Sequence, residues 1–183
     1  MKRIIIPLIV ISAAVLSFSN CSKKDKPKPI VIGKAIDTIN LNGRWSGVVY
    51  TADNSTLGSF ELMMTETSNP SDPHRTVIKG TIATPPLCKE MENQGHTSIP
   101  LSDMSGSRDF DQHEILVQFF YTTKRFQNGN VVPGETVGWN FEIDSLWVND
   151  RGMQLTDKPV VEGPARVTAN CNTQGYRVRL NKL

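Results

Sequence analysis

Residues 135–147 read ETVGWNFEIDSLW, so that Val137, Trp139, Phe141 and Ile143 alternate with Gly138, Asn140, Glu142 and Asp144. A period of two places the four apolar side chains on one face of an extended strand and their neighbours on the other, whereas a helical period of 3.6 would scatter them. Residues 113–123, HEILVQFFYTT, alternate in the same way: Ile115, Val117, Phe119 and Tyr121 share one face, and Leu116 and Phe120 the other. RWSGVVYTA and LGSFELMMTET flank DNST and read as a hairpin. RTVIKGTIAT, HTSIPLSD, GMQLTD, ARVTAN and YRVRLNKL supply further strands, NGNVVPG reads as a turn or loop, and only PPLCKEMENQ suggests a short helical turn. Short strands with frequent turn signals predict an all-β fold, an antiparallel barrel of eight or nine strands, with a β-sandwich as the alternative. Closing the sheet into a barrel removes its edges.

The strand pattern begins only near residue 40. Before it, Lys2 and Arg3 precede an apolar run from Ile4 to Phe18. The run is short for a membrane span, which needs about 20 apolar residues, and suits a secretory signal. Phe18-Ser19-Asn20-Cys21 then resembles the lipobox of a bacterial lipoprotein of the Bacteroidota type. The resemblance implies that residues 1–20 are removed and that Cys21 carries the lipid. Ser22 in place of an aspartate implies release to the outer membrane, at its periplasmic face or the cell surface. Two or three acyl chains anchor a protein stably where one does not. Residues 21–39 read as a tether rich in Lys and Pro, which favours an extended chain. Its lysines are either solvated or in contact with anionic headgroups. Within it, Asp37-Thr38-Ile39 resembles a Bacteroidota O-glycosylation acceptor and makes Thr38 a candidate; Asp144-Ser145-Leu146 is a second copy within an expected strand.

Residues 40–183 form one domain. The leader and tether hold seven of the 20 basic residues but only Asp25 and Asp37 of the 18 acidic ones, so the formal charge of +2 conceals a body near −3. A body without a basic cluster gives no footing for nucleic acid. Cys88 and Cys171, in an exported and oxidising setting, are expected to form a disulfide. His74, His96 and His113 are scattered without metal-ligand spacing, so no metal or cofactor is expected. No nucleophile elbow, phosphate loop or zinc-protease motif appears, and the chain is not expected to be an enzyme. Glu142 and Asp144 share a strand face and read as solvated carboxylates.

Gly43, Arg44 and Trp45 open the first strand of the body. They resemble the Gly-x-Trp signature of lipocalins and related calycin barrels. The resemblance implies that Trp45 closes one barrel end beneath a basic residue of the last strand, for which Arg177 and Arg179 are the candidates. Thr156-Asp157 resembles a second lipocalin signature, with Lys158 where an aromatic residue is usual. The family implies a cup for a small, mostly apolar ligand, lined here by Phe60, Leu62, Phe119, Tyr121, Val137, Trp139, Phe141 and Ile143. The same side chains would equally fill a small barrel. The expected function is a lipid-anchored binding module. The alternative is an accessory subunit of an outer-membrane protein assembly, for which outward Leu116 and Phe120 would be contact residues.

Overall fold

The computed structural model describes residues 29–30, 33–148, 158–169, 171 and 175–183. Cys21, most of the tether and the GMQLTD segment with Thr156 and Asp157 lie outside the described residues. The elements in chain order are β1 (Pro29–Ile30), α1 (Gly33–Ile36), β2 (Gly43–Tyr50), β3 (Thr56–Ser68), β4 (Arg75–Ala83) and α2 (Lys89–Asn93). They continue with β5 (His96–Thr97), β6 (Leu101–Asp109), β7 (Glu114–Gln127), β8 (Asn130–Ile143), β9 (Ser145–Trp147), β10 (Val160–Thr168) and β11 (Arg177–Lys182).

The fold is the expected antiparallel barrel. Strands β2, β3, β4, β6, β7, β8, β10 and β11 pair in that order, and β11 closes the ring on β2, with Val178 opposite Val49 and Leu180 opposite Gly47. The three remaining strands are short. β9 continues β8 beyond a break at Asp144, β1 pairs with the outer edge of β9, and β5 pairs with β7 beyond the reach of β6. NGNVVPG is more ordered than its composition suggests. Only Asn128 (φ 51°) and Gly129 (φ 80°) form the turn, the two positive angles that a tight hairpin requires. The residues after them run straight into β8. Pro133 stands opposite Lys124, next to a register shift, where the ladder is already interrupted.

The alternating faces named above sort as a barrel demands. Phe60, Leu62, Phe119, Tyr121, Val137, Trp139, Phe141 and Ile143 all point inward, each with 4% or less of its surface exposed. They pack on one another: Phe141 lies 5.4 Å from Phe60, 5.2 Å from Phe119 and 6.0 Å from Trp139, ring centre to ring centre. In this conformation they fill the barrel. Outward Phe120 is 60% exposed and lies over Gly138, where an added Cβ would sit 2.4 Å from its ring.

The end at which β2 begins is closed by the last residues of the expected tether and the first of the expected body. Ile36, Ile39 and Leu41 are buried, and fully buried Trp45 donates its indole N–H to the Leu41 carbonyl at 2.9 Å. The guanidinium of buried Arg108 donates to the carbonyls of Ile36, Asp37 and Ile39 and, at 2.8 Å, to the Glu66 carboxylate. Asp37 also meets His113 at 2.7 Å. The packed body therefore starts well before residue 40. The isolated isoleucines at 36 and 39 carry no periodicity, which is why the sequence reads as tether there. Thr38 remains on the surface of this turn, its hydroxyl donating to the Ala35 carbonyl at 3.0 Å.

One expectation at this end is corrected. The cation over Trp45 is Lys182, 5.6 Å from the ring, not Arg177 or Arg179. Parity along β11 explains the exchange. Buried Val178 and Leu180 point inward, so Arg177 and Arg179 point outward and Lys182 returns to the inner side at the rim. Arg177 and Arg179 instead hold the buried Glu162 carboxylate, at 2.5 and 3.0 Å, and Arg179 lies between the rings of Tyr50 and Trp147.

Candidate ligand-binding site

The opposite end of the barrel is closed differently, by a chain segment laid across it. β4 ends at Ala83, the next residue, Thr84, adopts a left-handed φ of 53°, and residues 84–98 then cross the opening. A β-branched residue with this φ is strained, by about 1–3 kcal/mol. The cover is fastened at several points. The Pro86 carbonyl accepts hydrogen bonds from the Tyr121 hydroxyl at 2.6 Å and the Trp139 indole at 2.9 Å. Leu87 and Met91 are buried, Ser98 donates to the Pro85 carbonyl, and β5 adds to the β7 edge. The expected Cys88–Cys171 disulfide is present and ties the cover to the connection between β10 and β11.

Burial pushes the Tyr121 hydroxyl up from an ordinary 10.0 to about 12. The folded chain thus keeps a proton that the unfolded chain gives up first. This contribution to stability is full below pH 10 and is lost as pH rises toward about 12, by up to about 1.4 kcal/mol per pH unit. Urea midpoints measured at intervals between about pH 9 and 12 should show this decline, and Tyr121→Phe should flatten it. An equally steep decline in the variant would mean that the phenol is not the group responsible.

A cleft of about 410 Å³ lies where the cover meets β3, lined by Leu57, Gly58, Pro85, Leu87, His96 and Ser98 among others. His96 is only 5% exposed, and its Nδ1 lies 2.8 Å from the Thr123 hydroxyl. That hydroxyl donates its own proton to the Glu135 carbonyl at 3.0 Å, so it can only accept from the imidazole. Nδ1 therefore carries the proton, and the lone pair of the neutral ring sits on Nε2. The backbone is built around this pair. A Cβ on Gly134 would lie 2.3 Å from the Thr123 oxygen and 2.6 Å from Nδ1. In the sequence His96 reads as one of three scattered histidines. Its partner lies 27 positions away and Gly134 sits in an apparent loop, so no local signal marks it.

At the disulfide corner, one carboxylate oxygen of Glu90 is buried without a hydrogen-bond partner among the described residues. A carboxylate oxygen of Glu90 and both cysteine sulfurs lie within 4.8 Å of one another. Burial, and then the charge of Glu90, push the nearby Tyr176 hydroxyl up.

A second cleft, of about 450 Å³, lies on the outer wall beside Asp144, Ser145, Arg166, Tyr176 and Arg177. The carboxylates flagged in the sequence are engaged there: Glu142 pairs with Arg166 at 3.0 Å, and Asp144 accepts from the Ser145 hydroxyl at 2.6 Å. The fold is a closed, eight-stranded antiparallel β-barrel, consistent with a calycin-like architecture, and it carries the Cys88–Cys171 disulfide. The chain matches no family model, no curated protein and no solved structure.

Proposed function

We propose that this chain is a lipid-anchored binding module of the cell envelope. It takes a small, mostly apolar molecule at the covered end of its barrel, where His96 is the polar recognition point. The observation that carries the reading is the histidine itself. It is buried, fixed in one tautomer by Thr123 and Glu135, and set in a mainly apolar cleft at the point where the cover's own β5 pairs with β7. A concave, mostly apolar site with few fixed polar groups is the usual form of a small-molecule site. The cleft holds the ligand's polar end. Its apolar part lies along Leu57, Pro85 and Leu87.

Intrinsic tryptophan fluorescence, titrated with a medium-chain alcohol and the alkane of equal length, tests this. The alcohol is expected to bind more tightly, and His96→Phe should weaken it by roughly threefold to tenfold, the worth of one hydrogen bond. The alkane should be indifferent to the substitution. No response to either probe would sink the reading. An accessory-subunit role is the second reading, favoured by Phe126, Val131, Phe120 and Leu101, which are 56–70% exposed. Crosslinking from these positions to a distinct envelope protein, with no probe bound, would establish it.

Anchoring through Cys21 and outer-membrane placement belong to the same proposal. Intact mass of membrane-extracted protein should show loss of residues 1–20 and added acyl mass. Cys21→Ala should leave the protein unprocessed or free of the membrane. Unchanged mass and partitioning in that variant would overturn the anchor.

A further inference from the structure

We propose that the corner formed by Cys88, Cys171 and Glu90 is a redox-gated metal site, which binds one zinc-class divalent cation once the disulfide is reduced. Two independent observations lead there. Three potential ligand atoms, two sulfurs and a carboxylate oxygen, already lie within 4.8 Å of one another. Glu90 also buries a carboxylate oxygen that no described group satisfies. An unpaired buried polar atom is costly, and native proteins rarely keep one without a use. While the sulfurs are bonded to each other, no described group gives that oxygen a partner. Reduction supplies its partner.

The chemistry balances with a dithiol as reductant. The dithiol gives two electrons and two protons to the S–S bond and itself becomes a disulfide, leaving thiols at Cys88 and Cys171. Cys88 is fully buried and Cys171 only partly, so attack occurs at Cys171. The cation then displaces both thiol protons and binds two thiolates and the Glu90 carboxylate, with water in the fourth position. Metal–sulfur bonds near 2.3 Å and metal–oxygen bonds near 2.1 Å require ligand atoms about 3.5–3.8 Å apart in a tetrahedron. Breaking the S–S bond frees the sulfurs to move to that spacing. Thiolates select zinc-class ions over magnesium or calcium. The cover would then have three states: fastened covalently, fastened through the metal, or released at this corner. The site stands independently of the apolar-ligand reading.

The test uses the full chain carrying Cys21→Ser, in detergent, so that the only thiols are Cys88 and Cys171. Cobalt(II) is titrated before and after reduction, with far-ultraviolet circular dichroism recorded throughout. The reduced chain should take one cobalt per molecule, with sulfur-to-cobalt charge-transfer absorption that zinc abolishes, and the oxidised chain none. Cys88→Ser should lose the absorption, and Glu90→Gln should weaken binding by at least about tenfold. Should reduction unfold the chain, zinc is expected to restore the strand signal. A folded reduced chain that takes no cobalt would overturn the proposal. So would an unfolded one that zinc does not rescue, or an affinity unchanged by Glu90→Gln.

Discussion

Trp139→Ala is expected to lower the free energy of unfolding by about 3–5 kcal/mol, the range for truncating a large core aromatic. The side chain is fully buried and packs on Phe141 and Tyr176, so alanine leaves a hole that the stiff barrel wall cannot close. Its indole also donates one of the two hydrogen bonds to the Pro86 carbonyl, so the effect reaches the cover. Urea denaturation should show a lower midpoint with an unchanged slope. Limited proteolysis should cut faster between residues 84 and 98. Trp139→Phe separates the two contributions, because it keeps most of the ring packing and gives up the donor, at about 1 kcal/mol. Near-native stability of the alanine variant would show that the interior is not packed as described.

Arg108→Met is the second large effect, again about 3–5 kcal/mol. Removing one partner of a buried charge pair leaves the other unpaired. Here it strands the Glu66 carboxylate and withdraws hydrogen bonds from the carbonyls of Ile36, Asp37 and Ile39 together. Hydrogen exchange should therefore accelerate selectively in residues 35–41, well ahead of the barrel strands. Arg108→Met with Glu66→Gln should recover part of the loss, since the stranded charge is gone. Equal loss in the single and double variants would mean that the arginine acts by packing alone.

How far these features are legible in the sequence follows from how local their causes are. Period-two alternation is set by backbone geometry within one strand, so β7 and β8 and their inward faces can be read directly. The Cys88–Cys171 bond spans 83 positions but follows from the body holding just these two cysteines together with the expectation that it is exported. Arg108 could not be found in this way. It looks like an ordinary charged strand residue, and its partners lie about 70 positions earlier in what reads as linker. His96 is hidden for the same reason. The exchange of Lys182 for Arg179 is a subtler miss. It turns on the parity of β11, and NKL after the last inward leucine gives no hint that the chain still follows the ladder. Whether inward aromatics fill a barrel or line it is a property of the summed volume of eight strands and two end covers, which no single segment reports.

The grip of Arg108 on the residues before Leu41 also fixes a direction. β1 and α1 lie at the end where β2 begins, so only residues 21–28 separate the proposed lipid from the folded body. Eight residues span at most about 26–29 Å when fully stretched. With the proposed anchor at Cys21, such a leash would hold the Trp45 end toward the bilayer and leave the His96 end facing away from it. A molecule drawn straight from the anchoring leaflet would meet the wrong pole of the barrel. On the proposed reading the protein would sample what arrives from the aqueous side or from a facing surface, and cargo passed to the membrane would have to travel round the wall.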